Sequence, residues 1–91
     1  MRRAGRTDGN QQQLVKELRD IGCSVAVTSM LGKGFPDIVV GYRGKNYLIE
    51  IKDPDKPPSQ RKLTPDEVKF QESWRGQYAV IHNLDEFMGL L

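Results

Sequence analysis

Pro36-Asp37-Ile38-Val39-Val40-Gly41-Tyr42-Arg43-Gly44-Lys45-Asn46-Tyr47-Leu48-Ile49-Glu50-Ile51-Lys52 is the stretch that decides the fold. Two short apolar runs, rich in β-branched and aromatic residues, flank a polar tetrapeptide containing glycine, which is the pattern of a β-hairpin. Residues 37–42 and 46–52 are expected as its strands. A type II′ turn with Gly44 and Lys45 at its centre would pair Arg43 with Asn46. Counting outward then sets Gly41 opposite Leu48, Val39 opposite Glu50, and Asp37 opposite Lys52. Side chains alternate faces along a strand, so Asp37, Glu50 and Lys52 are expected on one face. Asp37 and Glu50 would be diagonal neighbours, about 7–8 Å apart.

Glu50 interrupts an otherwise apolar run, and a carboxylate there needs a compensating positive partner. Two readings follow. One is a buried ion pair of Lys52 with Glu50 or Asp37. The other is a site for a hard, oxygen-loving cation held by Asp37 and Glu50, completed by a backbone carbonyl and waters. In the second reading the cation acidifies a water and screens a phosphate, while Lys52 orients the water and stabilises charge on the pentacovalent phosphate.

Outward from the hairpin, Leu14, Leu18 and Ile21 fall at helical spacing, predicting a helix over residues 10–21 with Asp8 or Asn10 as N-cap and Gly22 as its stop. Residues 23–29 read as a strand with Val25 and Val27 on one face, and residues 31–34 as a turn. Residues 53–62 contain three prolines and are expected as a loop. Thr64-Pro65-Asp66-Glu67 has the form of a capping box opening a second helix to about residue 75, its buried stripe carried by Phe70 and Trp74. Residues 77–82 read as a fourth strand, and Asn83 as the cap of a last short helix. The order is α-β-β-β-α-β-α in one domain over residues 10–91, preceded by a basic arm over residues 1–9.

Composition narrows the class. The chain has 91 residues, 37% hydrophobic and 29% charged, which suits one small globular domain. The net charge of +2 permits nucleic-acid binding without demanding it. Arg2, Arg3 and Arg6 crowd the start, and Lys52, Lys56, Arg61 and Lys62 the middle; each cluster reads equally as phosphate contact or as solvated surface. Lys33, Arg43, Lys45, Arg61 and Lys62 are the candidate phosphate contacts, though each taken alone reads more simply as surface. Cys23 is the only cysteine, so no internal disulfide forms and a small buried hydrophobe is the simplest reading. No apolar run approaches the roughly 18 residues of a membrane span, and a reducing cytoplasmic setting is expected. His82 has no metal-ligand spacing around it, and Tyr42 and Tyr47 are expected as a cross-strand pair.

Pro36-Asp37, followed thirteen residues on by Glu50-Ile51-Lys52 and preceded by Gly34-Phe35, resembles the signature of PD-(D/E)xK nucleases. With Leu63-Thr64-Pro65, the stretch from Gly32 to Lys52 is similar more narrowly to the VRR-NUC (virus-type replication-repair nuclease) family, in particular its small stand-alone members from phages and bacteria. The resemblance spans most of the chain. It implies a restriction-endonuclease-like α/β core with a central mixed sheet flanked by helices. It also implies an Mg²⁺- or Mn²⁺-dependent DNA endonuclease, homodimeric and directed at branched DNA such as four-way (Holliday) junctions. Asp37, Glu50 and Lys52 would be catalytic, with the metal on Asp37, Glu50 and the backbone carbonyl of Ile51. Relatives add an acidic residue on the first helix; here the nearest position is Gln13, with Glu17 one turn on, and Glu17 reads equally as a solvated side chain. Relatives often place glutamine after Leu-Thr-Pro-x, where this chain has Glu67, with Gln71 one turn on. Those departures motivate an alternative, a non-catalytic DNA-binding module on a nuclease fold. A third reading, a structural dimer around a buried ion pair, predicts no DNA affinity even at low salt.

Overall fold

The computed structural model describes residues 9–91. The basic arm, apart from Gly9, and Asp8 as a candidate cap lie outside the described residues. The elements run α1 (Gln11–Asp20), β1 (Ser24–Val27), β2 (Ile38–Tyr42), β3 (Lys45–Ile51), α2 (Pro65–Ser73), β4 (Tyr78–Ile81) and α3 (Leu84–Met88), with single 3₁₀ turns at Ser29–Leu31 and Pro58–Gln60. This is the expected order.

The four strands form one mixed sheet in the order β1-β2-β3-β4. β1, β2 and β3 are antiparallel neighbours, and β4 joins β3 in parallel. A parallel neighbour cannot be reached by a tight turn, so the chain crosses over through α2. β3 is central and buried continuously from Tyr47 to Ile51, as a strand covered on both faces must be.

The hairpin forms, but its register differs from expectation. Tyr42 pairs with Lys45, Gly41 with Asn46, Val39 with Leu48, and Ile38 with Ile49. The two loop residues are Arg43 and Gly44, both at positive φ (51° and 82°). That is the type I′ pattern, whose twist matches the flanking strands, and not a II′ turn over Gly44-Lys45. The slip moves each partner by two residues, and two is the side-chain period, so every face assignment survives. The expected Tyr42–Tyr47 pair does not form. Tyr47 packs edge-on against Phe87 at 5.5 Å, while the Arg43 guanidinium lies 5.2 Å over the Tyr42 ring.

One face of the sheet carries the core. Ile38, Val40, Ile49 and Ile51 meet Leu14, Val15 and Leu18 of α1 and Phe87 of α3, all almost completely buried. α1 ends in a Schellman motif, with the Cys23 amide donating to the Leu18 carbonyl and the Gly22 amide to that of Arg19. Gly22 takes φ 102°, which a side chain would resist. Ile21, expected on the buried stripe, is the C-cap and 39% exposed. Cys23 is buried with a free thiol.

α2 covers the other face differently. Its capping box is complete: the Glu67 amide donates to Thr64 Oγ1, and the Thr64 amide to Glu67 Oε1 at 2.9 Å. None of its residues is fully buried. Trp74, expected in the core, is the helix C-cap and 42% exposed, stacked on Phe70. The sequence pattern placed it on the right helical face, but that face is only half covered.

Candidate active site

The observed register brings Asp37 closer to Glu50 than the expected one. Continuing the β2–β3 ladder one residue beyond Ile38–Ile49 sets Asp37 directly opposite Glu50, not diagonal to it. The Asp37 backbone is held on its other side by β1's exit, where the Thr28 amide donates to the Asp37 carbonyl at 2.7 Å and Thr28 Oγ1 to the Pro36 carbonyl at 2.7 Å. Its side chain is held too, because the Ile51 amide donates to Asp37 Oδ2 at 2.8 Å.

Glu50 is 3% exposed and Lys52 8% exposed, an unusual state for either side chain. Lys52 Nζ sits between two carboxylates, 3.4 Å from Glu50 Oε2 and 3.1 Å from Glu67 Oε1. Glu67 Oε1 thus serves both the helix cap and the lysine. The remaining oxygen, Glu50 Oε1, is buried with no hydrogen-bond partner among the described residues. Burial, then the negative charges of Asp37 and Glu67 and a hydrogen bond with Glu67, push the Glu50 carboxyl up to about 9, against the pull of Lys52. Burial disfavours the charged form of Lys52, but Glu67 and Glu50 outweigh it and raise the ammonium above its ordinary value. For Glu67 burial acts upward, and the Thr64 amide, Lys52 and Glu50 together bring it below the usual value.

Three carboxyl groups around one ammonium leave an excess of negative charge even with Glu50 protonated, and one buried oxygen of Glu50 is unsatisfied. A hard cation between Asp37 and Glu50 fits that donor set, since such ions take oxygen ligands and complete their shell with carbonyls and water. Among the described residues no group of three or more His, Cys, Asp or Glu side chains has a geometry suited to a metal. A cation placed there would have two carboxylates, backbone and solvent as its ligands, not a full side-chain cage.

The other sequence-derived candidates divide sharply. Gly34 is pressed against the start of α2, where a Cβ would collide with the Asp66 carbonyl, so the loop bearing Lys33 lies beside the site. Arg61 and Lys62 lead directly into the Thr64 cap. Arg43 and Lys45 are at the hairpin tip, about 20 Å away along β3 from Lys52. Gln13 and Glu17 bond to each other at 3.0 Å on the solvent side of α1, and Gln71 is exposed on α2. His82 pairs with Glu86, whose Oε1 accepts from the His82 amide at 2.7 Å and lies 3.0 Å from Nδ1.

Two further polar residues, Gln11 and Tyr78, have buried side-chain oxygens. Gln11 is 3% exposed, and its Oε1 finds no partner among the described residues. Its spacing from Leu14, Val15 and Leu18 (i, i+3, i+4, i+7) was the available signal. Beside it, Asn10 does not cap α1 with its side chain; Nδ2 donates instead to the His82 carbonyl at 2.9 Å. Tyr78 shares the site's sheet face two residues before Val80, the partner of Glu50. Its hydroxyl is buried without a partner among the described residues, and burial, with the charges of Glu50, Glu67 and Asp37, pushes it up to about 12. No local signal marks Tyr78, because only the parallel β3–β4 register brings it there. A groove of about 490 Å³ runs between α1 and Val27, lined by Val15, Lys16 and Arg19 among others, but it lacks the carboxylate pair and is not the site.

The chain is similar to a solved structure described as a VRR_NUC domain, with a TM-score of 0.63 and 23% identity over 88% of this chain and 87% of that one. No protein-family model matches it, and no curated protein does. The fold is therefore that of a VRR_NUC domain, an α/β fold with a mixed sheet flanked by helices.

Proposed function

We propose that the protein is a metal-dependent endonuclease that hydrolyses DNA phosphodiester bonds at Asp37, Glu50 and Lys52. The observation that carries this reading is the buried, partnerless Glu50 Oε1 opposite Asp37, within a carboxylate cluster that holds a lysine. Asp37, Glu50 and the Ile51 carbonyl would hold Mg²⁺ or Mn²⁺, which supplies Lewis acidity toward a water and screens phosphate charge. Lys52 is protonated at neutral pH, so it orients the water and neutralises charge on the phosphate instead of accepting a proton. In the net reaction water adds at phosphorus and one P–O ester bond breaks, leaving a phosphate on one strand end and a hydroxyl on the other. Glu67 positions Lys52 through the 3.1 Å contact while fixing the start of α2. Lys33, Arg61 and Lys62 contact the DNA backbone near the cut, and Arg43 and Lys45 contact it farther out.

The preferred substrate is branched DNA such as a four-way junction, cut by a homodimer. Two sites related by a two-fold suit symmetric incision, and pairing supplements a small core. Val27, Met30 and Leu31, 40%, 57% and 58% exposed beside the edge strand β1, offer apolar surface for it. Junction, flap, nicked and linear DNA are to be incubated with the protein, with and without Mn²⁺. Cleavage that needs metal and disappears in Asp37→Ala and Lys52→Ala, with binding retained, is the expected result. Intact DNA in every lane would sink the proposal.

A second reading, a non-catalytic DNA-binding module, is motivated by Gln13, a neutral side chain where the resemblance implies an acidic one, which bonds to Glu17 at 3.0 Å on the exposed side of α1, and by Glu67, whose carboxylate serves the helix cap. Metal titration separates the two, since absence of Mn²⁺ binding that depends on Asp37 and Glu50 selects the inert module.

A further inference from the structure

Trp74 is the only tryptophan in the chain, and its environment is unlike that of a core aromatic. One indole face stacks on Phe70, with centroids 5.2 Å apart and planes within 14°. Phe70 is itself wedged edge-on by Phe35 at 5.3 Å. The Trp74 amide donates to the Phe70 carbonyl at 3.0 Å, fixing its backbone. Gly76 passes so near that a Cβ there would lie 2.9 Å from Nε1. The indole is thus held from two sides, yet 42% of the residue stays exposed. Packing accounts for the face on Phe70 and not for the rigid presentation of the rest to solvent.

Position gives this surface its meaning. Phe35 is two residues from Asp37, so the row Phe35–Phe70–Trp74 starts at the site and runs outward. Trp74 lies seven residues beyond Glu67, two turns along the same helical face, a rise of about 10 Å. That is the reach of one or two nucleotides from a phosphate at the site. The exposed charges beside the indole in sequence are mixed, Lys69 and Glu72 on α2 and Arg75 after it, and the two cations are available to the phosphates of a strand.

We propose that Trp74 is a stacking platform for an unpaired nucleobase one or two nucleotides from the scissile phosphate, so that the substrate class is DNA with a single-stranded or frayed base beside the cut. The inference rests on the nuclease reading of the neighbouring site. Within a duplex both faces of each base are covered by its neighbours, and the indole has nothing to receive. A flap, a gap or a pair that frays beside a crossover frees a base, and the platform then favours that geometry with little dependence on sequence, because every base has a π-face.

Because Trp74 is the sole tryptophan, its emission reports the contact directly. The full chain is to be titrated in metal-free, low-salt buffer with a dye-labelled single strand, a flap and a blunt duplex of the same sequence, reading dye anisotropy for binding and indole emission for stacking. Quenching by the single strand and flap, and little by the duplex, is expected. Anisotropy that rises without quenching overturns this inference alone. No rise with any DNA overturns the nuclease reading and this inference with it. Trp74→Leu keeps an apolar cover on Phe70 and is expected to weaken flap binding roughly five- to hundred-fold, with duplex binding little changed. Trp74→Phe, still aromatic, is expected to restore most of it. Equal losses on flap and duplex, or a leucine variant that binds as well as phenylalanine, would reject the platform.

Discussion

The two faces of one sheet are built on opposite principles. On the α1/α3 side Ile38, Ile49, Ile51 and Phe87 are each at most 1% exposed, a dry layer closed by apolar contact. On the α2 side the same strands present Asp37, Glu50 and Lys52, and the helix above them buries no residue completely. β3 shows the contrast within five residues, since Ile49 and Ile51 point into the core while Leu48, Glu50 and Lys52 face α2. Stability is concentrated on one face, and the other is held by a helix cap, an ion-paired cluster and half-covered aromatics. A cluster of buried charges contributes little net stability by itself, which suits the charged ligands that the proposed nuclease reading brings to this face.

The largest effect is expected on the closed face. Phe87→Ala should cost about 3–5 kcal/mol, because it removes a fully buried ring and leaves a cavity in a layer with no slack. Urea unfolding measures it. A cost under about 1 kcal/mol would mean that the two faces do not differ as described.

The second effect belongs to the open face and depends on pH. In the metal-free protein the folded Glu50 carboxyl is raised to about 9 from 4.5. Between those values the folded state binds more protons than the unfolded one, so the contribution is complete below about 4.5 and is lost as pH rises through about 9. Lys52, raised from 10.5, changes its contribution above that window, and Glu67, lowered from 4.5, below it. Melting temperature should therefore decline from pH 5 to 9, and Glu50→Gln should flatten the decline. Mn²⁺ requires the ionised carboxylate, so its stabilising effect should grow over the same range. An unchanged slope in Glu50→Gln would assign the dependence to another group.

How much of each face could be read from the sequence follows from the same contrast. Apolar periodicity announced Leu14 and Leu18, and local chemistry announced the Thr64 cap, because both signals lie within a few neighbouring residues. The common face of Asp37, Glu50 and Lys52 is legible in the sequence although the turn type is not, since a slip of two residues leaves alternation intact. The turn type is hidden by Arg43, a non-glycine residue at positive φ that nothing in its identity advertises. Trp74 was placed on the correct side of α2, but periodicity cannot report how much chain covers that side. The environments of Tyr78 and Glu50 depend on the parallel pairing of β3 and β4, which joins residues about thirty apart and leaves no local trace.

A third effect tests how the open face is closed. Gly34 holds φ 81°, and a side chain there would meet the Asp66 carbonyl. Gly34→Ala is expected to cost about 1–3 kcal/mol from the backbone conformation, plus whatever displacement of α2 relieves the collision. The cleavage rate should fall with it, because Glu67 moves with the helix and takes its contact to Lys52 along. A variant equally stable and equally active would show that the loop and helix are not rigidly docked.

The smallest effect separates capping from positioning. Thr64→Ala removes the acceptor for the Glu67 amide and should cost about 1 kcal/mol. The contact between Glu67 and Lys52 does not run through that hydroxyl, so cleavage should persist. Glu67→Gln keeps a side-chain acceptor for the Thr64 amide and retains most of the box, but replaces a charged partner of Lys52 with a neutral one. The weakened pair should cost about 1–3 kcal/mol, because Lys52 stays buried with the Glu50 carboxyl 3.4 Å away. The pH dependence of cleavage should shift as well, because both Lys52 and Glu50 lose a neighbouring charge. If the two variants differed only in stability and shared one pH–rate profile, Glu67 would serve the helix alone, and the open face would have two carboxylates at its centre instead of three.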